Sequence, residues 1–210
     1  MAAPDIPPTV HRRSPATGPA RGRPMSERTD EAILAAALDL LEERSLAELT
    51  MDEVAARARV SKASVYRRWP SKGTLAFDAF MTDFVRRQPE PDTGSLRGDL
   101  RGALRGWVRV VRRPATARTL RGLIAEVQRD SDLADAWRER FVEPVRARHR
   151  RILDRAVARG ELAPAVDGEV LLDLLYGPAY HRLLHGHLPL SDRFVDQVVE
   201  AVMAAASVLS

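Results

Sequence analysis

Apolar residues in this 210-residue chain recur at the spacing of an α-helix, and no stretch alternates with the period of two that a half-buried strand needs. Ile33, Leu34, Ala37, Leu38 and Leu41 fall at i, i+1, i+4, i+5 and i+8, one stripe along a helix. Val170, Leu171, Leu174 and Leu175 repeat the pattern, as do Phe194, Val195, Val198, Val199 and Val202. The helix punctuation agrees. Thr50-Met51-Asp52-Glu53 is a capping-box sequence that opens a short helix to about Ala58. Ser61 caps a second short helix from Lys62 to about Arg68, Pro70 ends it, and Ser71 caps a longer helix to about Arg87. Further helices are expected near 95–112, 115–129, 132–159, 168–186 and 192–208. Pro114 suits a start, Pro144 should kink the third, and Gly160 closes it with a left-handed residue. Asp167 and Ser191 are N-caps, and Pro189 separates the last two helices. The fold class is all-α.

Residues 1–25 are rich in Pro, Ala, Gly and Arg without periodicity and are expected to form a disordered basic arm. A three-helix unit at 26–87, a linker at 88–94 (QPEPDTG within it) and a larger helical domain at 95–210 complete the expected organisation. The absence of cysteine excludes disulfides, thiolate metal sites and cysteine nucleophiles. With no run of 18 apolar residues, the expectation is a cytoplasmic, nucleoid-associated protein with no membrane partner.

Net charge is only +4, and the abundance of arginine suits a GC-rich genome. Codon bias does not explain the placement of the chain's two lysines, Lys62 and Lys72. From Arg57 to Lys72 there are six basic residues and no acidic one. A basic patch this local suits a phosphate-facing surface. Two short helices joined by a tight turn, the second basic and bearing Ser and Lys, form a helix-turn-helix whose second helix fits the major groove of B-DNA. Spacing alone would also allow an ordinary basic helical hairpin.

The segment LTMDEVAARARVSKASVYRRWPSKGTLAFDAF decides between them. It resembles the tetracycline-repressor (TetR) family over about residues 27–85, matching at Thr50, Val54, Ala55, Ala58, Val60, Ser61, Val65, Tyr66, Trp69, Lys72 and Leu75. The resemblance implies that Thr50, Tyr66 and Lys72 contact phosphates and that Lys62, Ala63, Ser64 and Arg67 face bases. Tyr66 could instead be a core residue with a solvated hydroxyl, and Trp69 suits packing between the third and fourth helices. The family has Gly where this chain has Arg59, at a turn that needs positive φ. Either Arg59 bears that strain or the turn is reshaped. In the arm, Arg21-Gly22-Arg23-Pro24 resembles the core of an AT-hook, which would lay Arg21 and Arg23 in a narrow minor groove; a solvated tail is the alternative.

Beyond residue 95 the resemblance holds only in outline. Leu171, Leu174, Leu175, Val195, Val198, Val199 and Val202 are expected at a two-fold dimer interface, although both stripes could instead face the protomer core. Trp107, Val111, Ile124, Trp137, Phe141, Tyr176 and Tyr180 are candidate walls of an effector pocket, or plain core. His181, His185 and His187 are read as surface or interface residues rather than a metal site, and no catalytic constellation is present. The expected function is a homodimeric, sequence-specific transcriptional regulator, a repressor released from double-stranded operator DNA by a small-molecule effector, with no cofactor. Two rivals remain: an architectural DNA binder with a fully packed C-terminal domain, and a helical-bundle enzyme or carrier with a vestigial helix-turn-helix.

Overall fold

A computed structural model describes residues 25–84, 87 and 90–208. The proposed arm, with Arg21 and Arg23, lies outside the described residues, apart from Met25 of the first helix. Among the described residues ten α-helices follow one another: α1 Met25–Glu43, α2 Met51–Ala58, α3 Lys62–Tyr66, α4 Lys72–Phe84, α5 Leu96–Val111, α6 Pro114–Val127, α7 Ser131–Trp137, α8 Glu143–Ala158, α9 Gly168–His185 and α10 Asp192–Val208. No strand occurs among the described residues.

The caps fall where the sequence placed them. The Thr50 Oγ1 accepts the Glu53 amide at 3.3 Å, and the Ser61 Oγ accepts that of Ser64 at 3.2 Å. Asp167 caps α9 through Glu169 and Val170, and the Ser191 hydroxyl accepts the Phe194 amide at 3.1 Å. Gly160 and Gly186 end α8 and α9 with φ of +74° and +63°, conformations that a side chain would strain.

The long helix expected at 132–159 is interrupted. α7 runs into one π-helical turn at Arg138–Val142 before α8 begins. Pro144 explains the break: it has no N–H for the preceding turn and its ring would clash there. The chain widens instead, and the Glu143 amide bonds to the Arg138 carbonyl five residues back.

α1 packs on α2 and α4, and α2 on α3, around Ile33, Leu49, Val54, Val65 and Leu75, all essentially buried. α4 also packs on α6 and α7, so the core is continuous from the first helix to the last. Polar contacts brace the same junction. Arg118 of α6 donates to the Leu41 and Glu42 carbonyls at the C-terminus of α1, each at 3.0 Å, and Arg113 pairs with Glu42 at 2.8 Å. A cation there complements both the unbonded carbonyls and the negative helix end.

The dimer assignment needs correction. Leu171, Leu175, Val195 and Val199 have 0 % of their surface exposed, so they belong to the protomer core and cannot meet a partner. Their faces of α9 and α10 pack on α5 and on each other. An i, i+1, i+4, i+5 stripe is broad enough to wrap past the seam. Only Leu174, 43 % exposed, points outward, while Val198 and Val202 lie at the floor of a groove between α9 and α10.

Candidate DNA-binding surface and effector cavity

α3 presents Lys62, Ala63, Tyr66 and Arg67 on one exposed face, with Ser64 half-buried beside them. Its other face is fixed. Val65 is fully buried, and Trp69, just beyond the helix, packs beneath α3 with its indole Nε1–H donating to Asp78 of α4 at 2.9 Å. Trp69 is therefore a packing residue, whereas the Tyr66 ring is 44 % exposed and lies 5.8 Å from the Lys62 ammonium. Thr50 opens α2 and Lys72 opens α4. The polar groups of the surface are held by neighbours. Lys62 pairs with Asp52 at 2.7 Å, which holds its pKa above the usual lysine value. The Lys72 Nζ donates to the Ala47 carbonyl at 2.8 Å, the Arg67 guanidinium to the Ser64 hydroxyl at 3.2 Å, and the Thr50 hydroxyl to Glu53 at 2.7 Å. Arg57 and Arg68 are tied more firmly, Arg57 through two bonds to Glu43 and Arg68 to Asp30 of α1, so they brace the unit.

The turn between α2 and α3 keeps its left-handed geometry despite carrying arginine. Arg59 sits at φ 57°, ψ 41°, and no other non-glycine residue described has positive φ. The Val60 and Arg59 amides bond back to Ala55 and Ala56 at 3.0 and 3.2 Å, closing a Schellman turn. Arg59→Gly is therefore expected to stabilise the fold by about 1 kcal/mol and to raise Tm by about 2–4 °C. Calorimetric melting of the two proteins checks this; an unchanged or lower Tm would show that the arginine is not strained there.

Five of the seven candidate pocket residues converge. Ile124, Trp137, Phe141, Tyr176 and Tyr180 line a cavity of about 300 Å³ between α6, the end of α7, the π turn, α8 and α9. The other two do not line it. Trp107 stands one layer behind, its ring centroid 5.0 Å from that of Tyr180, and Val111 is buried. The sequence reading missed Val142, Val145, Arg146, His149, Leu172 and Leu184, which complete the wall. Val142, Val145 and His149 share one face at spacings of three and four, a signal hidden because Val142 closes the π turn. The Tyr176 hydroxyl and the His149 Nε2 are 2.8 Å apart, and burial pushes the His149 pKa down to about 4, so the imidazole is neutral. Among the described residues no group of three or more His, Cys, Asp or Glu is arranged to hold a metal ion, although the rings of His181, His185 and His187 cluster.

Known proteins agree with this architecture. Residues 33–79 match the model of "Bacterial regulatory proteins, tetR family", and residues 90–202 match "Tetracyclin repressor-like, C-terminal domain". The chain is 38% identical over 180 residues to an uncharacterized HTH-type transcriptional regulator, YdeS, of Bacillus subtilis, covering 85% of this chain and 90% of that one. It is 35% identical over 186 residues to the DNA-binding transcriptional repressor TetR of Mycobacteroides abscessus, covering 84% and 93%. Among solved structures, the TetR-family regulator SCO0332 superposes with a TM-score of 0.74 at 37% identity over 84% of this chain and 97% of that one. The flavonoid-responsive regulator FrrA superposes at 0.62 with 26% identity over 85% and 95%. Regulators of this kind bind operator DNA as dimers and are not enzymes. With the helix-turn-helix built as described and both halves matched, the chain belongs to the TetR family of DNA-binding transcriptional regulators.

Proposed function

We propose that two copies of this chain form a repressor which leaves its operator when a small molecule fills the cavity. The exposed face of α3, with Lys62, Ala63, Ser64 and Arg67, would read base edges from the major groove, while Thr50, Tyr66 and Lys72 hold phosphates. The partner copy would pack on the outer faces of α9 and α10. That groove holds about 360 Å³ and is lined by Leu174, Pro178, Val198, Ala201 and Ala205 among others, apolar side chains small enough for another helix to approach closely.

The observation that carries the effector reading is a carboxylate shared by the two halves of the protomer. Asp78 on α4 accepts from the Trp69 indole beneath the recognition helix at 2.9 Å and from Arg140 of the π turn at 2.6 Å. The two aromatic residues flanking Arg140, Trp137 and Phe141, line the cavity on one side. On the other they meet α4, with ring centroids 5.6 Å from Phe77 and 5.7 Å from Phe84. A ligand that spreads Trp137 and Phe141 would displace α4 and, through Asp78, Trp69 and α3. It must bind the displaced state more tightly than the DNA-bound one to shift anything. The cavity also speaks against the fully packed C-terminal domain of an architectural binder, and FrrA, of similar fold, is a flavonoid-responsive regulator.

The test begins by selecting bound sites from random DNA and screening for compounds that both raise Tm and release the selected site. Arg140→Ala is the decisive variant, because it cuts the ionic link to Asp78 but leaves the Trp69–Asp78 bond, the aromatic contacts on α4 and the cavity wall in place. It should bind operator and compound as before, yet need about tenfold more bound-state preference for release. Release unchanged by Arg140→Ala would remove Asp78 from the pathway, and a failure to select any site would end the repressor reading.

A further inference from the structure

The cavity specifies the polarity of its ligand through one chain of hydrogen bonds. His149 of α8 is 4 % exposed, and its Nε2 faces the Tyr176 hydroxyl at 2.8 Å. The backbone carbonyl of Val145, one turn back on the same helix, faces the ring from its other side. A backbone carbonyl can only accept, so the imidazole gives its one proton to Val145 from Nδ1. Nε2 is then a bare acceptor, and the Tyr176 O–H must donate to it. The Tyr176 oxygen is left with lone pairs only, beside the cavity that its side chain lines, and among the described residues nothing donates to it. Tyr180 is the complement. Its ring packs on Trp107, centroids 5.0 Å apart, with the indole N–H turned towards its oxygen, so its own proton remains available.

Negative charge on the ligand is excluded by the same wall. Among the described residues Arg146 is the one cationic side chain lining the cavity, and its guanidinium is spent: Nε bonds to Glu169, Nη1 to Asp173 at 2.7 Å, and Nη2 to the Glu169 carbonyl at 3.1 Å. Arg150 is likewise shared between Glu169 and Glu143, so these two arginines face three carboxylates. An anion entering here would find no unmatched positive charge, and a buried unpaired charge is costly. The remaining wall is aromatic and aliphatic, with the rings of Trp137, Phe141, Tyr176 and Tyr180 around a space near the lower end of ligand-pocket sizes.

We propose that the effector is an uncharged aromatic molecule of two or three rings carrying a hydrogen-bond donor, a phenol or an aryl N–H, seated with that donor on the Tyr176 oxygen. This rests on the cavity being the effector site. The Tyr180 hydroxyl serves as donor to an acceptor on the same molecule.

The test uses the full-length protein and three probes of one ring system: 2-naphthol, 2-methoxynaphthalene, which lacks the donor, and 2-naphthoate, an anion. Isothermal titration calorimetry at pH 7 should rank 2-naphthol first, the ether about tenfold or more weaker, and the carboxylate without measurable binding. Tyr176→Phe should make naphthol and ether equal. His149→Met should free the Tyr176 proton to point into the cavity and bring the ether up towards naphthol, a reversal that a merely structural histidine would not produce. Val145→Trp fills the cavity and should abolish binding of every probe, with circular dichroism confirming the fold of each variant. Equal binding of naphthol and ether by the unmutated protein, or preference for the carboxylate, would overturn the ligand class and leave the cavity as the effector site. Binding that survives Val145→Trp, or binding of no probe at all, would overturn the site together with the class.

Discussion

Leu174→Arg is expected to turn the dimer into folded monomers and to weaken operator binding by about 10²–10⁴-fold, the advantage lost when two linked half-site readers become independent. The position is chosen by its exposure. Leu174 keeps 43 % of its surface in the protomer, so arginine there reaches solvent and the core is left alone. In an isologous interface the substitution appears twice and sets two like charges into one apolar seam. Val199→Arg is the contrasting variant. Val199 has no exposed surface, and a charge there should unfold the protomer rather than separate it from a partner. Light scattering and circular dichroism distinguish the two results. A dimeric Leu174→Arg protein with full operator affinity would place the interface elsewhere.

Lys62→Ala and Arg67→Ala are each expected to weaken binding to the selected operator by about 5- to 150-fold, the discrimination carried by one good base contact. The two differ in what they leave behind. Among the described residues the Arg67 guanidinium is bonded only to the neutral Ser64 hydroxyl, so its loss leaves no charged partner exposed. Lys62 neutralises Asp52, and without it that exposed carboxylate faces the phosphates unopposed. The Lys62 variant should therefore lose the more, and should lose affinity for non-operator DNA as well. Asp52→Ala should run the other way, because it releases Lys62 for the DNA. Binding titrations on operator and scrambled duplexes over a range of salt concentrations read all three. Unchanged operator affinity in both the Lys62 and Arg67 variants would remove α3 as the reading element.

The sequence by itself determined the helix-turn-helix. Its signals are local: Thr50, Ser61 and Ser71 start helices within three residues of themselves, Pro70 stops one, and Val65 and Trp69 turn inward because they stand four apart. A motif whose parts lie within a few turns of each other is written in one dimension. The same holds for the ends of α8 and α9 at Gly160 and Gly186. Arg59 marks the limit of such reading. The sequence posed a choice between strain and a reshaped turn, and the two Schellman bonds from Arg59 and Val60 decided it in favour of the left-handed residue.

Tertiary structure alone decided which side of α9 and α10 faces inward. Apolar spacing reports that a face is buried but not by what, and Leu171 and Leu175 next to Leu174 read alike until α5 is laid against two of them. It also decided the cavity, where Tyr176 meets His149 across 27 residues, and the use of Asp78, which joins Trp69 and Arg140 from separate helices. A hydrogen bond between side chains on different helices depends on how those helices cross, and crossing angles follow from the packing of whole surfaces. The π turn that brings Trp137 and Phe141 onto α4 has the same origin. Pro144 announced a defect in the helix, but only the packed neighbours determined that the defect is a widened turn rather than an open kink.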